Sequence, residues 1–102
     1  MGKLVLAGDV GGTKTLLQIS AADGLALLQK SYPSAAHAGL AEILDDFLRE
    51  AEVSDISAAC FALAGPVSGR RVKLTNLPWM VDADAIARRF GIAQITLIND
   101  FA

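Results

Sequence analysis

The spacing of the apolar residues changes once along this chain of 102 residues, and that change limits its possible folds more than any other feature. Up to Tyr32 the apolar residues come in short runs. Lys3 to Gly8, Thr15 to Ser20 and Leu25 to Tyr32 each read as a strand. Paired glycines separate the first two, Ala22-Asp23-Gly24 separates the next two, and Pro33 stops the third. Beyond Gly39 the pattern becomes helical. Leu40, Ile43, Leu44, Phe47 and Leu48 recur at three- and four-residue steps, which is one face of a helix. Ile56 to Leu63 is an apolar run that predicts a buried strand, and Val67 to Leu74, with Gly69 inside it, predicts a small hairpin. Asp82 or Asp84 caps a second helix through Phe90, with Arg88 and Arg89 in its last turn and Gly91 just past it. Ile92 to Ile98 is the last strand. The order β-β-β-α-β-α-β, a meander followed by two helical crossovers, predicts an α/β fold. Its mixed sheet has Ile56–Leu63 and Ile95–Ile98 parallel to Lys3–Gly8.

Composition excludes several classes. Nine basic and eleven acidic residues leave a net charge of -2, which argues against a nucleic-acid or anionic-membrane binder. The one cysteine, Cys60, cannot form an internal disulfide, so a disulfide scaffold is excluded and a reducing compartment is favoured. Leu4 to Gly8 is too short for a signal h-region, and the uncharged run from Ile56 to Gly69 is broken by Pro66. A soluble, cytoplasmic chain is expected. The hydrophobic fraction of 53% is high for this length. It points to apolar surface that meets a second copy or a missing piece of the same protein. The chain also stops just after a buried-looking strand, whose faces need cover, so a truncation is expected.

Three segments carry residue types that suit chemistry. In Gly8-Asp9-Val10-Gly11-Gly12-Thr13-Lys14 the paired glycines permit positive φ and close approach of a ligand. Successive N–H groups in such a loop can form an anion nest, Thr13 offers a hydroxyl, and Asp9 can hold Mg²⁺, most simply through water. The alternative is a plain hairpin turn; the spacing is not that of a P-loop. Leu97-Ile98-Asn99-Asp100 puts a carboxylate at the carboxyl end of an apolar strand, where open α/β sheets hold their sites. Asp100 suits a proton acceptor and Asn99 a hydroxyl partner, or the pair simply opens the next helix. Ala64-Gly65-Pro66-Val67 and Thr75-Asn76-Leu77-Pro78-Trp79 read as turns, with Trp79 in the core or stacked on a ligand. His37 has no neighbouring ligand residue, Cys60 reads as a buried inert thiol, Arg70-Arg71 as a solvated hairpin tip, and the acidic helix face as wet.

Leu6 to Thr15 resembles the first phosphate motif of bacterial glucokinases. Ala62-Leu63-Ala64-Gly65-Pro66-Val67, Leu74-Thr75-Asn76-Leu77-Pro78-Trp79 and Leu97-Ile98-Asn99-Asp100-Phe101-Ala102 resemble three further signatures of that family, in its order and spacing. The resemblance implies the RNase H-like fold of the actin/hexokinase sugar-kinase superfamily. It also implies ATP-dependent phosphorylation of glucose at its 6-hydroxyl, with ATP as co-substrate and Mg²⁺. Asp9, Gly11, Gly12 and Thr13 would meet the nucleotide phosphates, with Asp9 toward Mg²⁺. Asn99 and Asp100 would contact the sugar, with Asp100 as base. Residues 1–102 would be the N-terminal small domain. The second domain, with the adenosine pocket, the second phosphate loop and the remaining sugar ligands, is absent, as is the C-terminal helix that packs back on the small domain, so the chain alone is expected to be inactive. Lys14 stands where the family commonly has asparagine and is given no role. Two alternatives stay open. One is a kinase of another hexose or an N-acetylhexosamine, which the missing glycine between Pro78 and Trp79 disfavours. The other is a non-catalytic sugar-binding or regulatory module, which the lack of a helix-turn-helix before residue 1 disfavours.

Overall fold

Five strands build one mixed sheet in a computed structural model that describes residues 3–21, 23–53, 55–74 and 77–99. They are β1 (Leu4–Val10), β2 (Lys14–Ala21), β3 (Ala26–Pro33), β4 (Ile56–Leu63) and, last in the chain, β8 (Gln94–Asn99). Their spatial order is β3-β2-β1-β4-β8. The meander β1-β2-β3 is antiparallel, while β1–β4 and β4–β8 are parallel, as the sequence predicts. The parallel neighbours are joined through α1 (Leu40–Ala51) and α2 (Ala83–Phe90). β1 runs two residues past its predicted end because Val10 is fully buried and pairs with Thr15, leaving only Gly11 to Thr13 for the turn.

Alternation along the strands sends Leu6, Val10, Leu17, Ile19, Phe61 and Leu63 into the core, with Ile43, Leu44 and Phe47 of α1 and Ile86 of α2. Gly8 lies in the same row as Leu17 and Phe61. Ala7, Asp9 and Ile98 are exposed on the other face of the sheet. Cys60 projects with them and is only half-buried, so the expectation of a buried thiol is corrected.

The turn chemistry follows the sequence closely. Gly24 has φ 94°, and the Leu25 N–H donates to the Asp23 side chain at 3.0 Å. Asp82 caps α2 by accepting from the N–H groups of Asp84 and Ala85, and Gly91 ends the helix in the left-handed region at φ 66°. No described helix is long and apolar enough to cross a membrane.

The chain between β4 and α2 holds more structure than a hairpin. β5 (Val67–Ser68), β6 (Arg71–Lys73) and β7 (Met80–Asp82) form a second, three-stranded antiparallel sheet. Two- and three-residue strands carry no readable alternation, which is why β7 escapes prediction. Arg70 and Arg71 are exposed but engaged. Arg70 donates to Asp84 and to the Ile95 carbonyl, and Arg71 donates to Asp82, tying the small sheet to α2 and β8. The acidic face of α1 is likewise paired, through Asp45–Arg89, Asp46–Arg49 and Glu50–Lys30. These exposed pairs contribute little stability each. Trp79 is 3% exposed and donates its ring N–H to the His37 carbonyl, so it belongs to the core and offers no face to a ligand.

Candidate active site

β1 is the middle strand, and its carboxyl end delivers Asp9 to the sheet edge on the exposed face. Asp9, Gly11, Gly12, Thr13, Lys14 and Leu16 line one open concavity of about 290 Å³. The four residues predicted to meet phosphate are therefore brought together, and Lys14 joins them. Asp9 pairs with Leu16 across the β1–β2 ladder, so Lys14, two residues before Leu16, projects on the same side as Asp9. A carboxylate, a hydroxyl, a lysine and glycine backbone in one cup suit a metal-bound polyphosphate. Its volume lies at the lower end of small-molecule sites, enough for a phosphate chain but small for a whole nucleotide.

The glycines work differently from the sequence expectation. Neither Gly11 nor Gly12 has positive φ; among the described glycines only Gly24, Gly69 and Gly91 do. Gly11 is needed for close approach instead. Its N–H donates to the Lys14 carbonyl at 3.0 Å, and a Cβ there would lie 3.2 Å from that same oxygen.

Beneath the loop lies a buried polar cluster that sequence reasoning missed. Thr15 and Ser34 are both fully buried, and their hydroxyls lie 2.9 Å apart. The Ser34 hydroxyl donates to the Gly11 carbonyl at 2.7 Å, and the Ser34 N–H donates to the Thr13 carbonyl at 3.1 Å. Ser34 opens a single 3-10 turn, Ser34–Ala36, in a Pro-Ser-Ala-Ala stretch that carries no motif.

The second motif ends at the same sheet edge as the first, with Asn99 in a row on the opposite face from Asp9. Val10, Leu63 and Asn99 form one row across β1, β4 and β8. At about 4.8 Å per strand, Asn99 stands about 10 Å from Val10 along that row. Asn99 is exposed at the end of β8. Asp100, Thr75 and Asn76 lie outside the described residues. Gly65 of the third motif is buried against the Lys73 carbonyl, so that segment packs β4 onto the small sheet. His37 pairs with Glu42, and no group of three His, Cys, Asp or Glu side chains gathers among the described residues.

A mixed sheet with an antiparallel edge, parallel crossovers and a Gly-Gly-Thr loop at the end of its middle strand is the α/β fold of the sugar kinases. Its described backbone is similar to the crystal structure of a glucokinase from an Antarctic psychrotroph, with TM-score 0.85 and 27% identity over 99% of this chain and 33% of that one. It shares its fold with a ROK family glucokinase from Streptomyces griseus, solved with glucose and AMPPNP, at TM-score 0.68 and 23% identity over 95% of this chain and 33% of that one. The sequence is 47% identical to the glucokinase of Nostoc punctiforme over 103 residues, 97% of this chain and 30% of that protein. The glucokinase family model matches residues 6–102, and the chain belongs to that family. It spans about a third of the length of the relatives it matches.

Proposed function

We propose that the complete protein carrying these residues transfers the γ-phosphoryl group of ATP to the 6-hydroxyl of glucose, and that residues 1–102 are its N-terminal small domain. The observation that carries this reading is the concavity in which Asp9, Gly11, Gly12 and Thr13 converge, on the same sheet edge as the end of β8. The S. griseus neighbour, solved with glucose and AMPPNP, supports the pairing of these two ligands on this fold.

The loop backbone and the Thr13 hydroxyl would hold the nucleotide phosphates. Asn99 and Asp100 would hold the sugar, and Asp100 would accept the proton of the 6-hydroxyl as its oxygen attacks the γ-phosphorus and the bond to ADP breaks. Mg²⁺ fits the donor set. Among the described residues the cup offers the Asp9 carboxylate and no three-ligand cluster, which suits an ion carried on phosphates that keeps most of its waters. Asp9 would hold that ion through water, and the chemistry the ion supplies is neutralisation of phosphate charge. The adenosine site and the remaining sugar contacts would come from the rest of the protein, so this chain alone is expected to be inactive. Positioning catalysis fails when half of the positioning groups are gone.

The test is phosphorus NMR of the complete protein with MgATP and glucose, run beside N-acetylglucosamine and N-acetylmannosamine. Glucose 6-phosphate as the main product supports the reading. Preferential transfer to an N-acetylated sugar, or ligand binding without transfer, replaces it with the related kinase or the sugar-binding module.

A further inference from the structure

Ser34 uses every hydrogen-bonding group it has, and two of them hold the phosphate loop. Its single hydroxyl proton goes to the Gly11 carbonyl at 2.7 Å, so Thr15 must be the donor in the 2.9 Å contact between the two hydroxyls. Its N–H goes to the Thr13 carbonyl, and its own carbonyl accepts from the His37 N–H at 3.1 Å. In a trans peptide the C=O and the following N–H point in opposite directions. Holding the Gly11 carbonyl inward therefore turns the Gly12 N–H away from Ser34, and holding the Thr13 carbonyl does the same for the Lys14 N–H. Those residues line the cup.

We propose that Ser34 is the positioning residue of the phosphate loop. From beneath, it fixes the peptide planes whose N–H groups receive the nucleotide phosphates. This rests on the proposed kinase reading for its ligand, but the anchoring itself does not. Gly11 and Gly12 have no side chains to lock their conformation, so an external anchor supplies the rigidity that anion binding requires. The side-chain hydrogen bond of Thr15 goes to Ser34 and not to a loop carbonyl, so Thr15 serves as the control.

The experiment uses the complete protein with Ser34→Ala and Thr15→Val. Ser34→Ala frees the Gly11 carbonyl, and the KM for MgATP is expected to rise about tenfold, since sub-ångström misplacement of positioning groups is costly. The KM for glucose should stay within about twofold. Thr15→Val lowers the melting temperature by removing a buried hydrogen bond, but Ser34 still holds the loop, so the KM for MgATP should hold. Hydrogen exchange of the Gly11 amide, which is bonded to Lys14, is the second readout. It should accelerate about tenfold in Ser34→Ala, while the Ile19 amide does not change. Ser34→Cys, which keeps volume and a weak donor, carries the same comparison if Ser34→Ala does not fold. An unchanged KM and unchanged Gly11 exchange in Ser34→Ala would overturn the proposal, as would equal effects in Thr15→Val. If the parent protein transfers no phosphate to glucose, the kinase reading falls, and Gly11 exchange alone decides the role of Ser34.

Discussion

Gly8 is tightly enclosed by core side chains, and replacing it gives a sharp test of the packing. An alanine Cβ built there would sit 2.6 Å from Phe61 Cδ1 and 3.0 Å from Leu17 Cδ2. Carbon atoms in a packed core prefer about 3.5–4.0 Å, so the overlap is close to an ångström. Phe61 and Leu17 are both fully buried and cannot swing outward. Overpacking of this kind costs about 1–3 kcal/mol. Alanine recovers about 0.5–1 kcal/mol over glycine within a strand by ordering the unfolded chain less expensively. The net expectation for Gly8→Ala is a loss of about 1–2 kcal/mol, or roughly 4–15 °C in melting temperature for a chain of this size. Trp79 is the chain's one tryptophan and is buried in the same core, so its fluorescence during urea unfolding reads the effect. Phe61→Leu removes the ring edge that clashes. The double variant Gly8→Ala/Phe61→Leu should therefore be more stable than the sum of the two single losses, by about 1 kcal/mol. A neutral Gly8→Ala, or strict additivity with Phe61→Leu, would refute the packing argument.

Asp82 gives a pH test. The backbone N–H of Ala85 foremost, with Arg71 and the N–H of Asp84, holds its carboxyl below the ordinary range. A carboxyl depressed in the folded state stabilises at neutral pH, and that contribution is lost as pH falls through the folded value. Asp82→Asn should therefore melt below the parent at neutral pH, with the gap closing on acidification; a gap that widens in acid contradicts the assignment. At the loop, Asp9→Asn in the complete protein should raise the Mg²⁺ concentration for half-maximal rate about 10- to 100-fold. The KM for glucose should be little changed, and an unaltered Mg²⁺ requirement removes Asp9 from the metal.

The main sheet is legible in the sequence because its strands are long enough to show runs and alternation. Ile56–Leu63 matches its predicted bounds, and Asp82 with Gly91 frames α2 through cap chemistry that operates over three or four residues. What stays hidden depends on contacts distant in the chain. β7 is three residues long and exists only because β6 pairs with it. Arg70 reaches the Ile95 carbonyl across 25 positions, and Ser34 reaches the Gly11 carbonyl across 23. Neither partner leaves a local pattern. The candidate cup is half legible: Asp9, Gly11, Gly12 and Thr13 stand together in sequence, while the residue that hydrogen-bonds to their loop from beneath is an ordinary serine. Cys60 shows the reverse problem. An apolar run reads as buried on both sides, but in the described structure one face of its strand is only partly covered.

The catalytic claim turns on Asp100, and steady-state kinetics of Asp100→Asn in the complete protein tests it most directly. The amide keeps the shape and can still hydrogen-bond a sugar hydroxyl, but it cannot take the proton. Loss of general-base help costs about 10²- to 10⁴-fold in turnover. The account predicts a loss of that size, with glucose affinity within a few-fold of the parent and an unchanged melting temperature. If Asp100 only caps a following helix, asparagine serves nearly as well and nothing measurable changes. A turnover number within a few-fold of the parent would contradict the account and take the base out of this chain.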